Sequence, residues 1–202
     1  MDLDPIELVA DGADTESPAD RRRARLNAAV GITVALIATF MGICKVKDDN
    51  IVQAMQQAQA DKVDHWSYYQ ARNVRQELAE ATVMQLTLQK AALPAAQASA
   101  ADAAIARYES LAKEQSQKKA ETKAQAEADQ QAYDALNYRD DQFDLSDALL
   151  ALAIALLAVS SVTQLWWMYA ISLVPSAFGV LMGLSGLMGW HVHPDALIKL
   201  LS

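Results

Sequence analysis

Apolar and polar positions fall into long blocks along this chain rather than alternating residue by residue. Residues 27–44, 148–167 and 171–190 contain no charged side chain. Each is about 18–20 residues long, enough for a helix to cross ~30 Å of hydrocarbon. The pattern predicts transmembrane helices at 26–44, 148–168 and 171–190, and therefore an integral membrane protein. The link between the last two is expected around Ser172 to Pro175, which makes those spans an antiparallel pair.

The intervening block, 45–147, reads as an extramembrane helical hairpin. Residues 48–93 lack Gly and Pro and are rich in Gln, Ala, Glu and Leu, all good helix formers. Apolar side chains recur there at Val52, Met55, Val63, Trp66, Val74, Leu78, Ala81 and Leu88, with Gln59, Gln70 and Gln85 filling the period. Pro94 pushes the residue before it out of helical geometry, so the turn is placed near 94. Beyond it, Ile105, Tyr108, Ala112, Ala126, Tyr133 and Leu136 follow a heptad grid with Gln115, Lys119, Thr122 and Asp129 as polar members. The fold class is an all-α membrane protein: three transmembrane helices, with a long antiparallel, coiled-coil-like hairpin between spans one and two. Alanine-rich seams bury little area, so the hairpin needs the spans at its ends, or further copies, to hold it. A partly disordered reading of 98–131 is the alternative.

Small residues line two spans. Ala28, Gly31, Ala35, Ala38 and Gly42 form one stripe in span one; Gly179, Gly183 and Gly186 form another in span three. Such stripes favour close helix approach, either within one subunit or between subunits. Trp166, Trp167, Tyr169 and Trp190 suit aromatic anchoring at the membrane boundary.

Charge changes the picture in two places. The net charge of −8 lies outside the spans and makes nucleic acid a poor partner. Residues 1–25 read as an acidic flexible tail ending in Arg21, Arg22, Arg23 and Arg25, which bias the N-terminus to the cytoplasm. The hairpin and the short tail 191–202 are then placed outside the cytoplasm. The long first apolar run lacks a small-x-small cleavage site, which favours an uncleaved anchor.

Candidate chemistry is sparse. The spans hold no Asp, Glu, Lys, Arg or His, which argues against a transporter. His191 and His193, two residues apart with Asp195 following, are a poor metal pair, and His65 is expected to pair with Asp61 on its own helix. Lone Cys44 reads as a small apolar residue at the membrane boundary. Catalytic, cofactor and metal residues are expected to be absent. One dense cluster remains: Asp64, Trp66, Tyr68, Tyr69, Gln70 and Arg72, with Tyr68 and Arg72 spaced for a cation–π contact. It is either an interaction site for a partner or the packing core of the hairpin.

Through these residues, with Gln53-Ala54-Met55 and the closing Trp-rich span pair, the chain resembles an uncharacterised bacterial membrane-protein family, domain of unknown function 4337. The resemblance runs over 25–190. It implies one N-terminal span, a helical middle and two C-terminal spans in a bacterial inner membrane, and supplies no activity. The expected function is a structural or scaffolding membrane protein contacting lipid, self-associating as a homo-oligomer and presenting its hairpin to an unidentified protein partner. A channel or an accessory subunit of a membrane complex is the alternative.

Overall fold

A computed structural model describes residues 17–190; the acidic segment before them and the His191/His193 tail lie outside the described residues. Three α-helices follow one another: α1, Pro18–Lys90; α2, Ala95–Thr163; and α3, Trp166–Met188. All three contain a window long and apolar enough to cross a membrane. The first two are far longer than a span, because no breaker separates apolar from polar blocks and the helices run on through both.

The start of α1 corrects the expected flexible segment 1–25 over 18–25, where the arginine cluster is helical. Ser17 caps the helix, accepting from the Asp20 N–H at 3.2 Å and donating to the Asp20 carboxylate at 2.7 Å, while Pro18 opens the first turn. The α1–α2 turn occupies residues 91–94 as expected, closed by backbone bonds from Ala92 and Leu93 and by an ion pair between Lys90 and Asp102.

The second link differs from expectation. It falls at Gln164 and Leu165, and Pro175 sits inside α3. Gln164 adopts a left-handed φ of 59°, and its side-chain amide donates to the Ser161 carbonyl and to Asn27 Oδ1. Proline inside a membrane-length helix is tolerated where Ser side chains and local backbone adjustment compensate the lost helix bond. Here the flanking Ser172 and Ser176 hydroxyls donate to the Tyr169 and Ser172 carbonyls at 2.7 and 2.8 Å. The aromatic anchors Trp166, Trp167 and Tyr169 therefore open α3 rather than close span two.

The chain divides into two compact units. One joins 17–51 to 138–190. Its core is Leu26, Val30 and Ile37 of α1 against Leu150, Ala153 and Leu157 of α2, with Val180 of α3 packed on it. The other, 52–137, is the antiparallel pair of α1 and α2. In α2 the heptad grid holds throughout: Ala112, Gln115, Thr122 and Ala126 are buried, and Ile105, Tyr108, Lys119, Asp129, Tyr133 and Leu136 are half-buried.

In α1 the expected apolar face is displaced. The seam is made by Met55, Ala58, Lys62, His65, Tyr69, Arg72, Gln76 and Ala79 at alternating steps of three and four. Alanines admit close approach, and polar partners cross the seam between them. Val63, Trp66, Val74, Leu78, Met84 and Leu88 lie on the outside, from 36% exposed at Trp66 to 71% at Leu88.

Candidate functional site

The aromatic cluster is divided by this seam. His65 Nδ1 meets Asp129 at 2.6 Å across it, in place of the expected pair with Asp61, which accepts from Gln57 instead. Arg72 donates to Gln115 at 3.1 Å, Lys62 donates to Gln130 at 2.9 Å, and Lys119 donates to Asn73 at 3.0 Å. These polar bonds replace bulk apolar burial as the specification of register, since each long side chain reaches one partner only at one alignment. Tyr69 is half-buried and meets Trp66 edge-to-face, with centroids 5.3 Å apart. Tyr68 is exposed, while Arg72 turns to the seam; a cation–π contact in this unit is made by Lys62 over Tyr133, at 5.8 Å. Asp64 and Gln70 are also exposed. The cluster thus supplies Tyr69 and Arg72 to packing and leaves Asp64, Trp66, Tyr68 and Gln70 on the surface.

The two small-residue stripes part company. A methyl at Gly179 would meet Leu150 Cγ at 2.7 Å, one at Gly183 would meet Phe40 at 2.7 Å and Ser146 Oγ at 2.8 Å, and one at Gly186 would meet Phe143 at 2.8 Å. The stripe of α3 therefore packs within the subunit, the first of the two alternatives its spacing left open. Arg139 donates twice to the Gly186 carbonyl, at 3.2 and 2.8 Å, and Ser146 donates to the Gly179 carbonyl at 2.8 Å. By contrast Ala28, Gly31, Ala35, Ala38 and Gly42 are all exposed, and nothing lies within 4 Å of a Cβ built at Gly31 or Gly42.

Sequence reasoning passed over a second cluster, just past span one. Asp48 is 95% buried, accepts from Lys45 through one carboxylate oxygen at 2.7 Å, and leaves the other oxygen without a partner. It lines a cavity of about 20 Å³ with Cys44, Lys45, Phe143, Asp144, Ser146 and Asp147. From α2, Asp140 comes within hydrogen-bonding reach of Asp48. Burial, this carboxyl contact and the charges of Asp144 and Asp141 push the Asp140 pKa up to about 6. Burial and Asp48 also raise Asp144, and the bond to Asp48 raises Lys45. The available signal was the spacing: Asp140 and Phe143 continue the α2 heptad past Leu136, so one acid is carried onto the packed face. Among the described residues no group of three or more His, Cys, Asp or Glu is arranged to hold a metal ion.

Among the described residues these features define an all-helical protein whose three helices each carry a membrane-length apolar stretch, with a polar-seamed helical pair and a carboxylate pair made by buried Asp48 and half-buried Asp140. The chain belongs to the family described as domain of unknown function (DUF4337), whose model matches residues 26–189. No curated protein and no solved structure matches it.

Proposed function

We propose that the protein is a multi-pass membrane protein with a structural, non-enzymatic role, which self-associates through α1. The observation that carries this reading is the inverted pattern of residues 52–90, where polar side chains fill the seam and the large apolar ones face out. A run of Val63, Trp66, Val74, Leu78, Met84 and Leu88 is too continuous to be scattered surface apolarity. A second copy joined along it would cover these side chains, as specific protein interfaces do. The exposed small residues of span one offer the same helix a close-packing face within lipid. A bacterial inner membrane is the proposed location, with the N-terminus cytoplasmic and the paired helices and C-terminus periplasmic, supported by Arg21, Arg22, Arg23 and Arg25 ahead of span one.

Native mass spectrometry of the full chain from mild detergent tests the assembly. A defined homo-oligomer is expected, reduced to monomer by Leu78→Lys with Leu88→Lys; both side chains are exposed, so the fold should survive. A wild-type monomer, or an oligomer indifferent to both lysines, would refute the interface.

A further inference from the structure

Two adjoining cavities open where α1 begins and the α2–α3 turn ends. One, about 620 Å³, is lined by Pro18, Arg21, Arg22, Arg25 and Trp166. The other, about 830 Å³, shares Pro18, Arg22 and Trp166 and adds Arg23, Gln164, Leu165 and Trp167. Among the described residues no acidic side chain lines either one, and Asp20 is engaged with Ser17 in the α1 cap. The walls are held in place: Gln164 and Ser161 both donate to Asn27 Oδ1, at 3.0 and 3.1 Å, and Thr33 is bonded to Tyr169 at 3.1 Å.

Helix α3 begins on this cavity. Its N-cap, Leu165, is extended (φ −100°, ψ 109°) and gives no side-chain hydrogen bond to the first turn. The first-turn N–H groups of a 23-residue helix, and the positive end of its dipole, are thus left without a capping side chain beside Arg22 and Arg23. Cationic forks, a helix N-terminus and two Trp rings together suit a phosphate carried on a lipid.

We propose that this cavity seats the phosphate headgroup of an anionic phospholipid, with Arg22 and Arg25 as its principal cationic ligands. The lipid is preferred over a soluble anion because the cavity lies at the ends of the apolar segments of α1 and α3, where Trp166 and Trp167 can pack along the glycerol and upper acyl region. The seat rests on the membrane reading above and is independent of self-association.

The full-length protein, extracted from vesicles of mixed phosphatidylglycerol and phosphatidylcholine, is examined by native mass spectrometry for retained lipid. Phosphatidylglycerol should be retained selectively. Arg22→Gln with Arg25→Gln should weaken retention by roughly thirtyfold, given the usual contribution of a basic residue near an anionic surface. Lys47→Gln, an exposed lysine past the other end of span one, should leave it unchanged. Equal retention of the two lipids overturns the proposal, as does an equal loss in the lysine variant. Displacement by inorganic phosphate would assign the cavity to a soluble anion. Retention that emerges only after deletion of residues 1–16 would make that acidic segment the occupant. Detergent dependence of extraction, measured on the same samples, separates failure of the seat from failure of membrane insertion.

Discussion

Asp140→Asn should stabilise this protein at alkaline pH, against the usual direction for a mutation on a packed face. In the folded chain Asp140 faces the buried Asp48, and its pKa rises from 3.8 to about 6. A carboxyl raised in this way binds its proton more tightly folded than unfolded. Stability therefore falls as pH rises from about 4 to about 6 and is level above that window. The interval corresponds to about 3 kcal/mol at full strength. Asp140 is only half-buried, so solvent screens the effect to about 1–2 kcal/mol.

Asparagine removes the ionisation and brings an amide group that can donate to the Asp48 carboxylate. At pH 8 the variant should melt higher than wild type by about 3–6 °C, while the two should converge near pH 4. Helix loss on heating, followed by circular dichroism of the full chain in mild detergent across this pH range, reads the difference directly. A variant that melts lower at pH 8, or that keeps the wild-type fall between pH 4 and 6, would refute the carboxylate pair.

The remaining predictions test packing. Gly183→Leu should cost about 1–3 kcal/mol by driving a side chain into Phe40 and Ser146, seen as a lower melting temperature. Gly31→Leu, with nothing within 4 Å, should leave melting of the monomeric unit unchanged yet weaken assembly in native mass spectrometry if span one contacts a second copy. His65→Ala and Asp129→Ala should be non-additive, with a coupling of about 0.5–3 kcal/mol in a double-mutant cycle, whereas Asp64→Ala and Asp129→Ala should add.

Much of this architecture is written locally in the sequence. Charge-free runs of span length, Pro94 and the α2 heptads from Ile105 to Leu136 each act through short-range rules, and each reappears in the fold. The cap of α1 was equally local: Ser17, Pro18 and Asp20 carry the capping signal that places the arginines in a helix rather than a tail. Positions that depend on what lies opposite were not readable. Nothing near Gly179 or Gly31 in sequence says that one meets Leu150 and the other meets nothing. The Gln164 turn was likewise masked by Pro175, a stronger local breaker that the helix nevertheless absorbs.

The misread face of α1 has a physical origin that bears on function. Its apolar residues repeat at close to 3.6, the period of a straight helix, whereas the seam to α2 alternates steps of three and four, an average of 3.5. The two series meet only at Met55; from there Val63 and Trp66 each stand one residue, about 100° of helix rotation, beyond the seam residues Lys62 and His65, and the apolar series stays off the seam through Leu88. A pair specified only by hydrophobic burial would have followed the apolar series. This one follows Lys62–Gln130, His65–Asp129 and Arg72–Gln115, bonds whose modest net value comes with strict register. The seam uses α1's polar groups for alignment and leaves its large apolar side chains, Val63, Trp66, Val74, Leu78, Met84 and Leu88, facing outward, the pattern on which the proposed self-association rests.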